Sequence, residues 1–115
     1  RKDLWMDRGG FQISPHTDGV QKYATFLLYC SAHPSLEQEG TSVFVPKDSG
    51  FRSWSGKQFK FDDFDEVFRA PYRKNLVFGF RKTDKSFHGK YPGETTVEAR
   101  KTISITVQSK RLFKV

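Results

Sequence analysis

Polar and apolar residues alternate along much of this chain in short runs, and Gly, Pro, Asp and Ser punctuate them. The clearest run is Lys101 to Val107, where Ile103, Ile105 and Val107 alternate with Thr102, Ser104 and Thr106. Successive side chains of a strand point to opposite sides, so this period of two predicts a strand with one apolar face. Phe11 to Ser14 reads as a strand stopped by Pro15, and Lys22 to Ser31 as a longer one rich in aromatic and branched residues. Thr41 to Val45 follows a Gly and ends at Pro46. Glu66 to Ala70, Asn75 to Phe80 and a short piece around Phe87 complete seven predicted strands. No segment keeps a helical period over three turns. Residues 47–65, with Gly50, Gly56 and the run Phe61-Asp62-Asp63-Phe64-Asp65, read as a surface excursion with room for one helical turn. The expected fold class is all-β, a jelly roll or related barrel-like sandwich.

Length and composition narrow the picture. With 115 residues the chain is expected to form one small domain spanning 1–115. Twelve Phe, four Tyr and two Trp supply enough apolar surface to offset chain entropy, which argues against disorder. No apolar run approaches the roughly 20 residues of a membrane-spanning helix, so no membrane association is expected. No signal-peptide pattern opens the chain, and it begins Arg1-Lys2-Asp3 without a Met, which reads as a processed product or part of a longer reading frame. The single cysteine, Cys30, excludes an internal disulfide and a multi-cysteine zinc site; a reduced, cytoplasmic setting is the simplest expectation.

The net charge of +7 is unevenly placed. Residues 1–65 carry eight basic and nine acidic groups, and residues 66–115 carry twelve and four. Such a basic half attracts nucleic acid, an anionic surface or a small anion, and charge alone does not choose among them.

Chemistry concentrates at three places. In His16-Thr17-Asp18 the imidazole and carboxylate, two residues apart on an extended chain, share a side, and Pro15 and Gly19 put them where a strand ends. The plainer alternative is a surface turn in which Asp18 caps backbone amides. His88, in Ser86-Phe87-His88-Gly89, lies seventy-two residues later between two predicted strands. Brought together, two imidazoles and one carboxylate cover one face of an octahedron, the arrangement of non-haem Fe(II) sites; zinc also accepts this set. Arg100 opens the last strand and shares a face with Thr102 and Ser104, a receptor suited to a carboxylate, whereas Lys101 takes the opposite face. A solvated Arg at a strand's first position is the competing reading.

The order of these motifs resembles the Fe(II)- and 2-oxoglutarate-dependent oxygenases, which are built on a double-stranded β-helix. Gly10-Phe11-Gln12-Ile13-Ser14-Pro15-His16-Thr17-Asp18 is similar to the family's strand leading into its first two ligands. Lys22 to Tyr29 resembles the strand that follows. Glu39-Gly40-Thr41-Ser42-Val43-Phe44 is similar to the Gly-Gly-Thr-x-x-Phe segment with one Gly replaced by Glu. Pro71 to Phe80 with Ser86 to Gly89 resembles the segment carrying the distal ligand, and Arg100 to Ile105 the closing strand. The resemblance covers about residues 9–108.

It implies His16, Asp18 and His88 as iron ligands and catalytic centre. It implies Arg100 as partner of the distal carboxylate of the cosubstrate 2-oxoglutarate, with Ser104 or Thr102 assisting. Tyr29 falls where relatives often place a tyrosine hydroxyl on the same carboxylate; ordinary core packing is the alternative. Gln12 and Ser14, assigned the face of His16, would line the substrate side. His33 is expected at the surface and Cys30 as a small core residue. The implied reaction consumes O₂ and 2-oxoglutarate, releases succinate and CO₂, and oxidises a C–H bond of a small-molecule or sugar-type substrate, with ascorbate as an optional reductant. Because Asp18 is retained, hydroxylation, desaturation or demethylation is implied rather than halogenation.

Members of the family are usually larger and carry N-terminal helices that support the major sheet, whereas nine residues precede the first matching strand here. The expectation is therefore a homo-oligomer, or an N-terminal region outside this sequence, covering the sheet. Arg69, Arg73, Lys74, Arg81, Lys82 and Lys85 flank the strand leading to His88 and suit an anionic substrate such as a sugar nucleotide. Two other classes stand beside this reading: a cupin-type metal-dependent jelly roll without 2-oxoglutarate, and a non-enzymatic basic β-domain binding nucleic acid or protein. Against nucleic acid, the nearest interleaving of aromatic and basic residues, Tyr72-Arg73-Lys74, reads as a turn.

Overall fold

A computed structural model describes residues 1–8, 10–93 and 98–109. The chain is all-β, with eight strands: β1 Lys2–Asp7, β2 Ile13–His16, β3 Lys22–Tyr29, β4 Ser42–Pro46, β5 Phe64–Arg69, β6 Val77–Arg81, β7 His88–Lys90 and β8 Arg100–Gln108. They form two antiparallel four-stranded sheets, ordered β1-β8-β3-β6 and β2-β7-β4-β5. Two single turns of 3₁₀ helix, Pro34–Leu36 and Phe61–Asp63, interrupt the connections. The second lies in the 47–65 excursion, which otherwise runs as irregular chain until β5 begins at Phe64. No helix among the described residues is long and apolar enough to cross a membrane.

Three local features depart from the expectations. Strand β1 was not anticipated, because Leu4, Trp5 and Met6 are consecutive and mask the period of two. Pro15 does not stop its strand but lies buried within β2. Strand β2 is the edge of its sheet, where a missing N–H need not break a ladder. Between Ile13 and His16 the pairing with β7 shifts register: Ile13 faces Lys90 and His16 faces His88, so three steps on one strand meet two on the other. That irregularity exchanges the faces of β2 on either side of it.

Aromatic packing holds the sheets. Phe44, Phe64 and Phe87 are buried together, with Phe51, Phe59, Phe61 and Tyr91 packed against them. A second cluster joins Tyr29, Leu36, Ala70 and Tyr72. Each such ring contributes ~1.5–3 kcal/mol on burial. Gly40 is obligatory in this packing, because a Cβ there would collide with the carbonyl of Ala70.

Strand β8 resolves its alternation in an unusual sense. Its polar side chains, Arg100, Thr102, Ser104 and Thr106, are buried between the sheets, and Lys101, Ile105 and Val107 point outward and are exposed. The register extends that outer face across the sheet: Leu4, Ile103, Leu28 and Val77 form one row, and Lys2, Ile105, Phe26 and Gly79 the next. Phe26 lies over Gly79, where a Cβ would approach its ring within 2.6 Å.

Candidate functional site

The site is built where the inner faces of the two sheets meet. Strand β2 ends on His16 and β7 begins on His88, and the two are cross-strand partners. Their rings lie 4.4 Å apart between centroids, inclined at 51°. Gly89 permits this approach, since a Cβ at that position would collide with the carbonyl of Ile13. Asp18 follows in the turn after β2. One ligand atom from each of His16, Asp18 and His88 lies within 4.8 Å of the others. Asp18 Oδ1 is 3.8 Å from His16 Nε2 and 3.3 Å from His88 Nε2.

Hydrogen bonds fix which atoms converge. Nδ1 of His16 lies 2.9 Å from the carbonyl of Ser14, and Nδ1 of His88 lies 2.9 Å from the carbonyl of Ser86. A carbonyl only accepts, so each Nδ1 carries the proton, and in the neutral rings both Nε2 lone pairs face Asp18. Thr25 Oγ1 donates to Asp18 Oδ2 at 2.8 Å, which leaves Oδ1 directed at the imidazoles. The result is three electron-pair donors aimed at one point, an arrangement that repels itself unless a cation or proton lies between them. The donor set therefore fits a divalent metal, and the bonds to Ser14, Ser86 and Thr25 are the kind of outer partners that orient metal ligands.

Electrostatics agree with that assignment. Burial, reinforced by neighbouring His88, lowers the His16 pKa to about 4, so its imidazole is neutral near pH 7 and available as a ligand. Burial alone would raise the Asp18 carboxyl; a proton on His88 Nε2, taking the place between the donors that a metal would fill, together with Thr25 and Lys22 outweighs it and holds the group well below the usual carboxylate range. Lys22 Nζ lies 4.0 Å from Asp18 Oδ1, and the Phe80 ring packs on His88 at 4.1 Å between centroids.

A cavity of about 160 Å³ opens on the triad. Trp5, Phe11, Ile13, Leu27 and Phe80 form its apolar wall, and Arg100, Thr102 and Ser104 of β8 line the same space. Larger surface hollows beside Phe51 and Phe59, and beside His33 and Arg73, bring no such ligand set together among the described residues.

The guanidinium of Arg100 is built in on several sides. Asp7 Oδ2 accepts from Nε at 3.2 Å, Thr102 Oγ1 accepts from Nη1 at 3.4 Å, and the rings of Phe11 and Tyr72 lie 5.8 and 5.6 Å away. Arg100 thus faces inward while Lys101 is exposed.

The other candidates occupy varied places. Tyr29 is buried, and its hydroxyl donates to Thr41 Oγ1 at 3.1 Å and accepts from the Thr41 amide at 3.0 Å. Thr41, not Tyr29, reaches the cavity wall. Phe11 and Ile13, not Gln12 and Ser14, line the cavity, because the register shift in β2 reverses the parity on which the assignment of Gln12 and Ser14 rested. Ser14 instead serves through its backbone, holding His16 and accepting support from Gln58, whose Oε1 takes the Ser14 amide at 3.1 Å. His33 caps the first 3₁₀ turn by accepting from the Ser35 amide, and Cys30 is half-buried with Sγ near the Leu28 carbonyl.

Sequence reasoning missed Asp7, Thr25, Thr41 and the pair Lys90–Glu39. Lys90 Nζ is buried in the cavity wall, 3.0 Å from Glu39 Oε1 and 3.0 Å from the carbonyl of Tyr91. The parity of β3, which puts Thr25, Leu27 and Tyr29 on one face, was the signal that would have found Thr25. No protein-family model matches the chain, and no curated protein matches it.

Proposed function

We propose that this protein is an Fe(II)- and 2-oxoglutarate-dependent oxygenase with the two sheets forming a double-stranded β-helix. The observation that carries the reading is the convergence of His16 Nε2, Asp18 Oδ1 and His88 Nε2 in one cavity with a buried, oriented arginine. The strand orders β1-β8-β3-β6 and β2-β7-β4-β5, each alternating distant parts of the chain, support the architecture.

In this reading His16, Asp18 and His88 hold the iron, which with 2-oxoglutarate and O₂ supplies the oxidation of a substrate C–H bond, ascorbate serving as an optional reductant. The chain's own residues bind and orient. Arg100 takes the distal carboxylate of the cosubstrate through the guanidinium edge that Asp7 and Thr102 leave open, and Thr102 and Ser104 add hydroxyls beside it. Tyr29 acts from behind by fixing Thr41 on the cavity wall. Phe11, Ile13, Leu27 and Phe80 exclude water around the ligands. The substrate is a small molecule, sugar-type or anionic, entering past Lys22. Hydroxylation, desaturation or demethylation follows from the retained Asp18, and a reduced, cytoplasmic setting belongs to the same reading.

One observation favours a second reading. Asp7 already neutralises Arg100, which suits a cupin-type metal site that never receives a dicarboxylate.

Anaerobic titration with Fe(II) and then 2-oxoglutarate separates the two. The oxygenase reading expects a visible charge-transfer band on adding 2-oxoglutarate, absent in His88→Ala and weakened in Arg100→Lys. Folded protein that binds Fe(II) but gives no band supports the cupin-type reading. Folded protein that binds no divalent metal overturns both and leaves the non-enzymatic basic β-domain.

A further inference from the structure

Three cations, Lys22, Lys90 and Arg100, line the triad cavity, and two of them are spent within the fold. Arg100 is held by Asp7 and Thr102. Lys90 Nζ meets Glu39 Oε1 and the carbonyl of Tyr91 at 3.0 Å each, and the carbonyl of Phe11 at 3.5 Å, which uses all its donors. Lys22 differs. Its ammonium makes no hydrogen bond among the described residues, and its one ion pair reaches Asp18 Oδ1 at 4.0 Å. The Lys22 side chain is 26% exposed, so this charge stands where the cavity meets solvent. Neutralising Asp18 does not account for it. Oδ1 is the oxygen aimed at the two imidazoles, and the cation that this donor set fits takes up the carboxylate's charge. Lys22 is then left beside a like charge, a cost that an incoming anion removes.

The strand register excludes the cosubstrate as that anion. Thr25, which holds Asp18, pairs with Thr106 of β8, and Lys22 pairs with Gln108. Arg100 opens the same strand on the other side of the Thr106 level. The two cations thus flank Asp18, separated by eight residues of β8, roughly 27 Å of strand. Even with both side chains extended toward each other, 2-oxoglutarate is too short to bridge them.

We propose that Lys22 is the specificity-determining residue that receives an anionic group, carboxylate or phosphate, of the substrate. The inference rests on the oxygenase reading and gives its substrate a chemical class. An anionic oxygen bonded to Nζ at about 2.8 Å lies no more than roughly 7 Å from Asp18 Oδ1. The C–H bond presented to the triad is therefore only a few bonds from the anionic group. Small organic acids and short phosphate monoesters meet that limit, and a neutral sugar does not.

The test loads the whole chain anaerobically with Fe(II) and 2-oxoglutarate, which fills the Arg100 side. Matched pairs are then titrated by calorimetry: butyrate against butyramide, and glycerol 3-phosphate against glycerol. At least one anion is expected to bind roughly tenfold more tightly than its neutral partner, and the better pair tells carboxylate from phosphate. Lys22→Met is expected to abolish that preference and Lys22→Arg to keep it. Both variants are expected to retain the charge-transfer band and to bind Fe(II) no more weakly than wild type. Equal binding within both pairs, binding of neither anion, or a preference that survives in Lys22→Met overturns the proposal. So does a Lys22→Met protein that loses Fe(II) affinity together with the preference, because the lysine then only supports Asp18. The oxygenase reading fails separately, through a missing band in wild type, and the same titrations with Co(II) alone still decide what Lys22 binds.

Discussion

Asp7 Oδ2 and Arg100 Nε, ninety-three residues apart in sequence, form a 3.2 Å ion pair between neighbouring strands β1 and β8. Both side chains are largely buried, so the carboxylate both orients the guanidinium and spares the fold an unpaired interior charge. Removing one partner of such a pair costs far more than the pair itself contributes, because the other charge stays behind.

Asp7→Ala is therefore expected to destabilise the protein by about 3 kcal/mol in urea unfolding, and Asp7→Asn, which keeps an acceptor for Nε, by clearly less. In the oxygenase reading the same variants separate position from charge. Asp7→Ala weakens 2-oxoglutarate binding by releasing the guanidinium, whereas Asp7→Asn strengthens or preserves it by leaving Arg100 oriented and less neutralised. Equal loss in both variants would show that Asp7 acts through its charge and not by positioning.

Thr25 makes a narrower prediction. Its hydroxyl holds Oδ2 of Asp18 so that Oδ1 faces the imidazoles. Thr25→Val keeps the shape and removes the donor. Outer partners of this kind typically carry about 10–100-fold in metal affinity, and that loss is expected in an Fe(II) or Co(II) titration. The circular dichroism spectrum should stay unchanged. Undiminished metal affinity would remove Thr25 from the site.

Tyr29 carries a pH dependence. Burial raises its phenol pKa above the usual value near 10, against the lowering effect of its bonds with Thr41. A folded-state pKa above the unfolded one means the folded state holds this proton longer. The corresponding stability is complete below about pH 10 and is lost as pH rises through the folded-state pKa. Tyr29→Phe is expected to lower stability near pH 7 by about 1–2 kcal/mol, from the Thr41 bonds it abandons. It should also flatten the alkaline decline in denaturant midpoint relative to wild type. An identical alkaline slope in the two proteins would sink the assignment.

Much of this was legible in the chain because it depended on period and order alone. The alternation of 101–107 located β8 and put Arg100, Thr102 and Ser104 on one face. His16, Asp18 and His88 could be nominated as a set because strand ends gather chemistry. What escaped was set by pairing rather than by local pattern. Strand β1 hides because Leu4 and Met6 are exposed while Asp3 and Asp7 turn inward, the reverse of the usual polarity. With β1 unseen, Asp7 could not be matched to Arg100. The exchange of Gln12 and Ser14 for Phe11 and Ile13 follows from one extra residue in β2, which a strict period of two cannot reveal. Thr41 supplants Tyr29 at the wall through a tertiary contact that has no trace in either segment.

The two imidazoles are held by the same local device, a ring nitrogen bonded to the carbonyl two residues earlier, in Ser14-Pro15-His16 and Ser86-Phe87-His88. The tripeptides lead into antiparallel partners, so the histidines by themselves form a near-twofold pair with no preferred side. Asp18 breaks that symmetry, as do the register shift in β2 and the Phe80 ring on His88. The Asp18 turn, fastened to the neighbouring sheet through Thr25, gives the ligand set its handedness and decides from which direction anything held there can be approached.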